Sequence, residues 1–102
     1  MTSNIKNILK RLEIEDLGRY ENHFYVISLA NSNEYARMYT KLDKNAINTG
    51  SPTYGLNASN NLEKEVHYFE LEEDEITYNI FLIANYKEED DEKKYYIRIG
   101  EK

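Results

Sequence analysis

Residues 76–87 read ITYNIFLIANYK, and their apolar side chains do not fit on one face of a strand. At the period-2 spacing of a strand, Ile76, Tyr78, Ile80, Leu82, Ala84 and Tyr86 fall on one side. Phe81 and Ile83 fall on the other. A strand that is apolar on both sides belongs in the middle of a sheet whose faces are covered. The chain must therefore supply neighbours for this strand and a layer to lie on it.

The neighbours are legible on either side. Residues 64–71 read as a strand, with Glu72-Glu73-Asp74-Glu75 as the turn that follows. After the central strand, Glu88-Glu89-Asp90-Asp91-Glu92 form a second acidic turn. KYYIRI (94–99) is then a last strand, with Tyr95, Ile97 and Ile99 on one side and Tyr96 and Arg98 on the other. NHFYVISLA (22–30) is rich in the aromatic and β-branched residues that favour strands.

The covering layer is predicted over 3–17. Ile5, Ile8, Leu9 and Leu12 fall at i, i+3, i+4 and i+7, one stripe of an amphipathic helix. Thr2 or Ser3 is placed to cap its start, and Gly18 to take the left-handed position after its end.

Asn31-Ser32-Asn33-Glu34 signals a turn. Residues 35–42 (YARMYTKL) are expected to return as a strand with Ala36, Met38, Thr40 and Leu42 inward. A short helix competes, because Ala, Arg, Met, Lys and Leu are all helix formers. Residues 43–61 lack periodicity and hold the only Pro, two of the four Gly and five Asn. They are expected to form one long loop with Tyr54 and Leu56 pinning its centre. The predicted fold is α+β: an N-terminal amphipathic helix on a four- to five-stranded antiparallel β-meander, in one domain of 102 residues.

Apolar residues are 40% of the chain, which alone would admit disorder, but ten Tyr and three Phe are far more aromatic than disordered segments carry. No cysteine is present, which removes disulfides, thiolate metal sites and cysteine nucleophiles. With no apolar leader and no long apolar run either, a cytoplasmic setting is expected.

The net charge of −6 is unevenly spread. Residues 1–61 carry 7 basic and 6 acidic side chains, 62–92 carry 2 and 12, and 93–102 carry 4 and 1. The acidic segment would be repelled by nucleic-acid phosphates and by anionic membranes, so neither is an expected partner.

Candidate chemistry is thin. His67 shares a strand face with Glu63 and Glu65, a set able to hold a divalent metal or act as a general base, but no second histidine stands at ligand spacing. A half-exposed strand histidine among solvated glutamates is the expected reading. Glu88–Glu92 lacks the alternation and glycine of a calcium loop. Thr49-Gly50-Ser51-Pro52 is not a phosphate-binding loop. Asn57-Ala58-Ser59 matches the glycosylation acceptor pattern, by coincidence in a chain without a leader. No catalytic residue, metal or cofactor is expected.

Binding is better supplied. Tyr20, Tyr25, Tyr35, Tyr39, Tyr68, Tyr95 and Tyr96 exceed what so small a core needs, and tyrosine is enriched at protein interfaces. Side chains two apart on a strand are ~6.8 Å apart, close to the phosphate spacing of one nucleic-acid strand. Glu63, Glu65, Glu70, Glu72, Glu73, Asp74 and Glu75 are therefore candidates for a phosphate-like array, and Glu88, Glu89, Asp90 and Asp91 for a second patch at the other end of a strand of about 12 residues. With Tyr54 as an apolar anchor, such an array would occupy the basic groove of a host nucleic-acid-processing enzyme.

In size and composition the chain resembles small acidic proteins encoded by phages and mobile elements, anti-CRISPR and other antidefence inhibitors among them. That likeness implies a non-enzymatic inhibitor. The alternative is a small structural, interaction or immunity-type domain, homodimeric through a tyrosine-rich sheet face or an edge strand.

Overall fold

The computed structural model describes residues 3–102, and of residues 91 and 92 the backbone alone. Helix α1 spans Ser3–Arg11, β1 Arg19–Glu21, β2 Phe24–Ser28 and helix α2 Ser32–Asn45. Then follow β3 Asn48–Thr49, β4 Thr53–Leu56, β5 Leu62–Glu73, β6 Ile76–Asn85, a single helical turn α3 Asp91–Lys94, and β7 Tyr95–Glu101. The fold is α+β, with all strands in one seven-stranded antiparallel sheet ordered β1-β2-β7-β6-β5-β3, and β4 also on β5.

The sheet is larger than the expected four or five strands and is not a plain meander. β1–β2 and β4–β5–β6–β7 run as consecutive neighbours, but β3 also pairs with β5 and β7 inserts between β2 and β6. Its Ile97 pairs with both Ile27 and Leu82. The last strand is thereby central, and Ile97 and Ile99 are fully buried.

The first helix is shorter than the predicted 3–17. Ser3 opens the helix rather than capping it, and Thr2 lies outside the described residues. The helix stops because Glu13, not Gly18, takes the left-handed conformation (φ 54°). The Glu13 N–H donates to the Lys10 carbonyl and the Ile14 N–H to the Leu9 carbonyl, the pair of bonds that closes a helix end in this way. Gly18 has a different reason to be glycine. A Cβ there would meet Ile27 Cγ1, Tyr25 Cε2 and the Val26 carbonyl at 2.6 Å.

Residues 35–42 are helical, within α2, and the expected returning strand is overturned. Asn31 caps this helix, its side chain accepting from the Glu34 N–H at 3.0 Å. Met38 and Leu42 are buried and Ala36 and Thr40 exposed, the outcome of a 3.6-residue period and not of alternation. The expected long loop of 43–61 is also largely structured. β3 and β4 take their hydrogen bonds from the long strand β5, and Asn57 closes the β4–β5 turn by accepting from the Ser59 and Asn61 N–H groups. Tyr54 and Leu56 do not pin it, being 55% and 56% exposed.

Both long helices lie on one face of the sheet. The core joins Ile5, Ile8, Leu9 and Leu12 of the α1 region and Met38 and Leu42 of α2 to Ile27, Phe69, Leu71, Ile80, Leu82 and Ile97. The alternating residues of the same strands point to the other face, where neither α1 nor α2 packs.

Candidate interaction surface

The uncovered face follows from strand alternation and register. Phe24 and Val26 of β2 point there, with Tyr96 and Arg98 of β7, Phe81 and Ile83 of β6, and Val66 and Tyr68 of β5. One row across the strands reads Val26, Arg98, Phe81, Tyr68, and the next Ser28, Tyr96, Ile83, Val66. Val26 and Ile83 are buried beneath their neighbours, while Phe24, Val66, Tyr68, Phe81 and Tyr96 are half-buried.

The rings here pack on one another. Tyr68 stacks on Phe81 with centroids 5.3 Å apart, and Phe24 meets Phe81 edge-on at 6.1 Å. The Phe24 ring lies against Gly100, where an added Cβ would be 2.8 Å from it. The Arg98 guanidinium sits 4.4 Å from the Phe24 ring centre and has no carboxylate partner among the described residues. Burial raises the hydroxyl pKa of Tyr68 and of Tyr96. A shallow cavity of about 400 Å³ opens beside the rings, lined in part by Arg19, Val26, Ser28, Lys93, Tyr96 and Arg98.

The acidic candidates are dispersed by the same alternation. Glu63, Glu65 and Glu73 lie on the helix side of β5, and Glu70 and Glu72 on the uncovered side. Several have internal partners: Glu63 with Lys87 (3.0 Å), Glu70 with Lys102 (2.7 Å) and Glu73 with Arg11 (3.2 Å). The turn is Asp74-Glu75 alone, a two-residue hairpin with φ of 55° and 63°, so Glu72 and Glu73 belong to the strand. Asp74 and Glu75 are exposed at its tip. Glu88, Glu89 and Asp90 lie beyond the other end of β6, roughly 30 Å away at ~3.3 Å per residue. The side chain of Asp91 is outside the described residues.

Tyr54 and Glu65 do come together on the β4–β5 hairpin, with Glu63 two residues before Glu65 on the same strand. Tyr54 pairs in register with Glu65. Glu65 accepts from the Tyr86 hydroxyl at 2.7 Å and the Tyr35 hydroxyl at 3.4 Å, and its carboxylate lies 2.8 Å from His67 Nε2. Burial opposes its charge, but His67, Tyr86 and Tyr35 together hold the carboxyl below its ordinary pKa. Tyr86 is raised to about 12, first by burial and then by Glu65. Burial raises Tyr35 as well, aided by the Glu65 charge. Glu63 turns to Lys87 instead of completing a ligand set with His67, and the described residues hold no group of three His, Asp or Glu placed to bind a metal. No described helix is long and apolar enough to cross a membrane.

The chain matches no family model, no curated protein and no solved structure.

Proposed function

We propose that this chain is a non-enzymatic protein-binding domain that docks its partner on the uncovered sheet face. One observation carries the proposal: the central strands are apolar on both sides, and the helices cover only one. Large apolar patches left open on a soluble domain mark sites of association. Aromatic anchors with an arginine among them are the composition of interface centres.

A second use is favoured by the exposure of Asp74 and Glu75 beside Glu72 at one end of the sheet. There the chain would block the basic groove of a nucleic-acid-processing enzyme, as a small phage-encoded inhibitor would.

Affinity capture from a cell lysate separates the two. The baits are the wild type, Phe81→Glu, and the triple variant Glu72→Lys/Asp74→Lys/Glu75→Lys, each at low and high salt. Docking on the sheet face predicts that retained protein is lost with Phe81→Glu and survives both the triple variant and high salt. Loss with the triple variant and with salt, and retention by Phe81→Glu, would overturn it in favour of the acidic tip.

A further inference from the structure

Positive charge gathers at one corner of the uncovered face, in a chain whose net charge is −6. Arg19 of β1, Val26 of β2 and Arg98 of β7 lie in one row across three adjacent strands. Residues in register across a sheet point to the same side, so the two arginines flank Val26. Ser28 and Tyr96 form the next row. Lys93 of α3 joins them around the cavity of about 400 Å³.

The cations differ in what already holds them. Arg19 is paired with Glu21 at 3.3 Å, and Glu21 is the one carboxylate among the described residues that line the cavity. Arg98 and Lys93 have no ion pair or side-chain hydrogen bond among the described residues. Arg98 is half-buried, with its guanidinium held over the Phe24 ring. Contact with a ring face leaves the N–H edge of the fork for an acceptor. The Tyr96 hydroxyl lies in the same field: burial and the Glu21 charge raise its pKa, and the Arg98 charge opposes the rise.

We infer that this cavity binds a small phosphate monoester, with Arg98 and Lys93 holding the phosphate oxygens and the Tyr96 and Ser28 hydroxyls donating to them. The site stands apart from the docking role and does not depend on it. A phosphate monoester carries close to two negative charges at neutral pH and three strong acceptor oxygens. Two unpaired cations and two hydroxyls match that charge and those acceptors, whereas a carboxylate would leave a cation uncompensated. The volume lies within the roughly 300–1,000 Å³ of small-molecule pockets, with room beside the phosphate for the ester's body against Val26 and the Tyr96 ring. A nucleic-acid strand carries the same chemistry, but as a polyanion it is repelled by the acidic segment 62–92. A single ester is small enough to meet the basic corner alone, since exposed charges are screened beyond about 8 Å.

Titration of the full chain, followed in a ¹H–¹⁵N spectrum, tests this with phenyl phosphate, inorganic phosphate and benzoate at constant ionic strength. Phenyl phosphate is expected to saturate at millimolar concentration or below, with shifts confined to residues 19–28 and 93–98. It should bind at least about threefold more tightly than either other anion. Lys93→Gln should weaken it about threefold and Arg98→Gln about tenfold. Lys10→Gln, on α1 beyond the covered face, should leave it unchanged. Preserved amide dispersion shows that each variant is folded; if Arg98→Gln is not, Arg19→Gln/Lys93→Gln takes its place with the same expected loss. Absence of saturation overturns the inference, as do shifts scattered over the molecule. Phenyl phosphate no tighter than inorganic phosphate or than benzoate overturns it too, as does a folded Arg98→Gln, or the folded double variant in its place, that binds like the wild type.

Discussion

Glu65 ties the end of the sheet to α2 through the Tyr35 hydroxyl, and gathers the Tyr86 hydroxyl and the His67 ring from the sheet side. Its carboxyl is held below the ordinary value of 4.5, so its contribution is full above that value and fades as pH falls through the lower folded one. The tyrosines act at the other limit. Tyr25 and Tyr86 are each raised from 10 to about 12, so stability is full below pH 10 and declines toward pH 12 as the neutral hydroxyls ionise. A titration followed by tyrosinate absorbance and far-ultraviolet dichroism should show these hydroxyls ionising only as the fold is lost. Glu65→Ala leaves Tyr35 and His67 without their acceptor and should cost about 1–3 kcal/mol in urea unfolding. An unchanged midpoint would mean that the cluster is merely solvated. The sequence brought Glu65 and His67 onto one strand face, because two residues of separation suffices for that. It did not reveal Tyr35 and Tyr86, which arrive from α2 and from the end of β6, 30 residues before and 21 residues after Glu65.

At the level of elements, legibility followed the periodicity. β6 and β7 alternate without ambiguity, and their faces were readable residue by residue. Tyr35, Met38, Tyr39 and Leu42 fit a helix as well as Met38 and Leu42 fit a strand, and the Asn31 cap decides between them. Endings were less legible still, because non-glycine residues occupy the left-handed positions at Glu13, Asp74 and Glu75. These positions are testable. Each L-residue held in that conformation costs roughly 1–2 kcal/mol relative to glycine. Asp74→Asn/Glu75→Gly installs the preferred pair for such a hairpin and should raise stability by about 1 kcal/mol. Gly18→Ala should do the reverse, by roughly 1–3 kcal/mol, since the new methyl meets the Val26 carbonyl and two packed side chains. If Gly18→Ala is neutral in urea unfolding, the close approach at residue 18 is wrong.

Across the whole molecule, strand order was the least legible property, because nothing local tells β2 that its neighbour is 70 residues further on. Tyr25 pairs with Ile99 and Ser28 with Tyr96, so the sheet closes only when the last strand enters between β2 and β6. The same insertion fixes function as proposed here, since β7 places Tyr96 and Arg98 in the middle of the uncovered face. Long-range pairing of this kind costs loop-closure entropy before it returns contacts, and folding is expected on a millisecond-to-second scale. It also makes the carboxyl-terminal segment indispensable. Ending the chain after Lys94 removes Ile97 and Ile99 from the core and strips the backbone partners from both β2 and β6. Two unpaired edges and an opened core exceed the 5–15 kcal/mol by which a small domain is ordinarily stable. The shortened chain should therefore show collapsed amide dispersion in a ¹H–¹⁵N spectrum and no cooperative thermal transition. Tyr20→Ala, on the exposed edge strand β1, should by contrast keep a dispersed spectrum and a transition within a few degrees of wild type. A well-dispersed spectrum from the shortened chain would show that β5 and β6 fold with the helices alone, and would place β7 at an edge rather than at the centre.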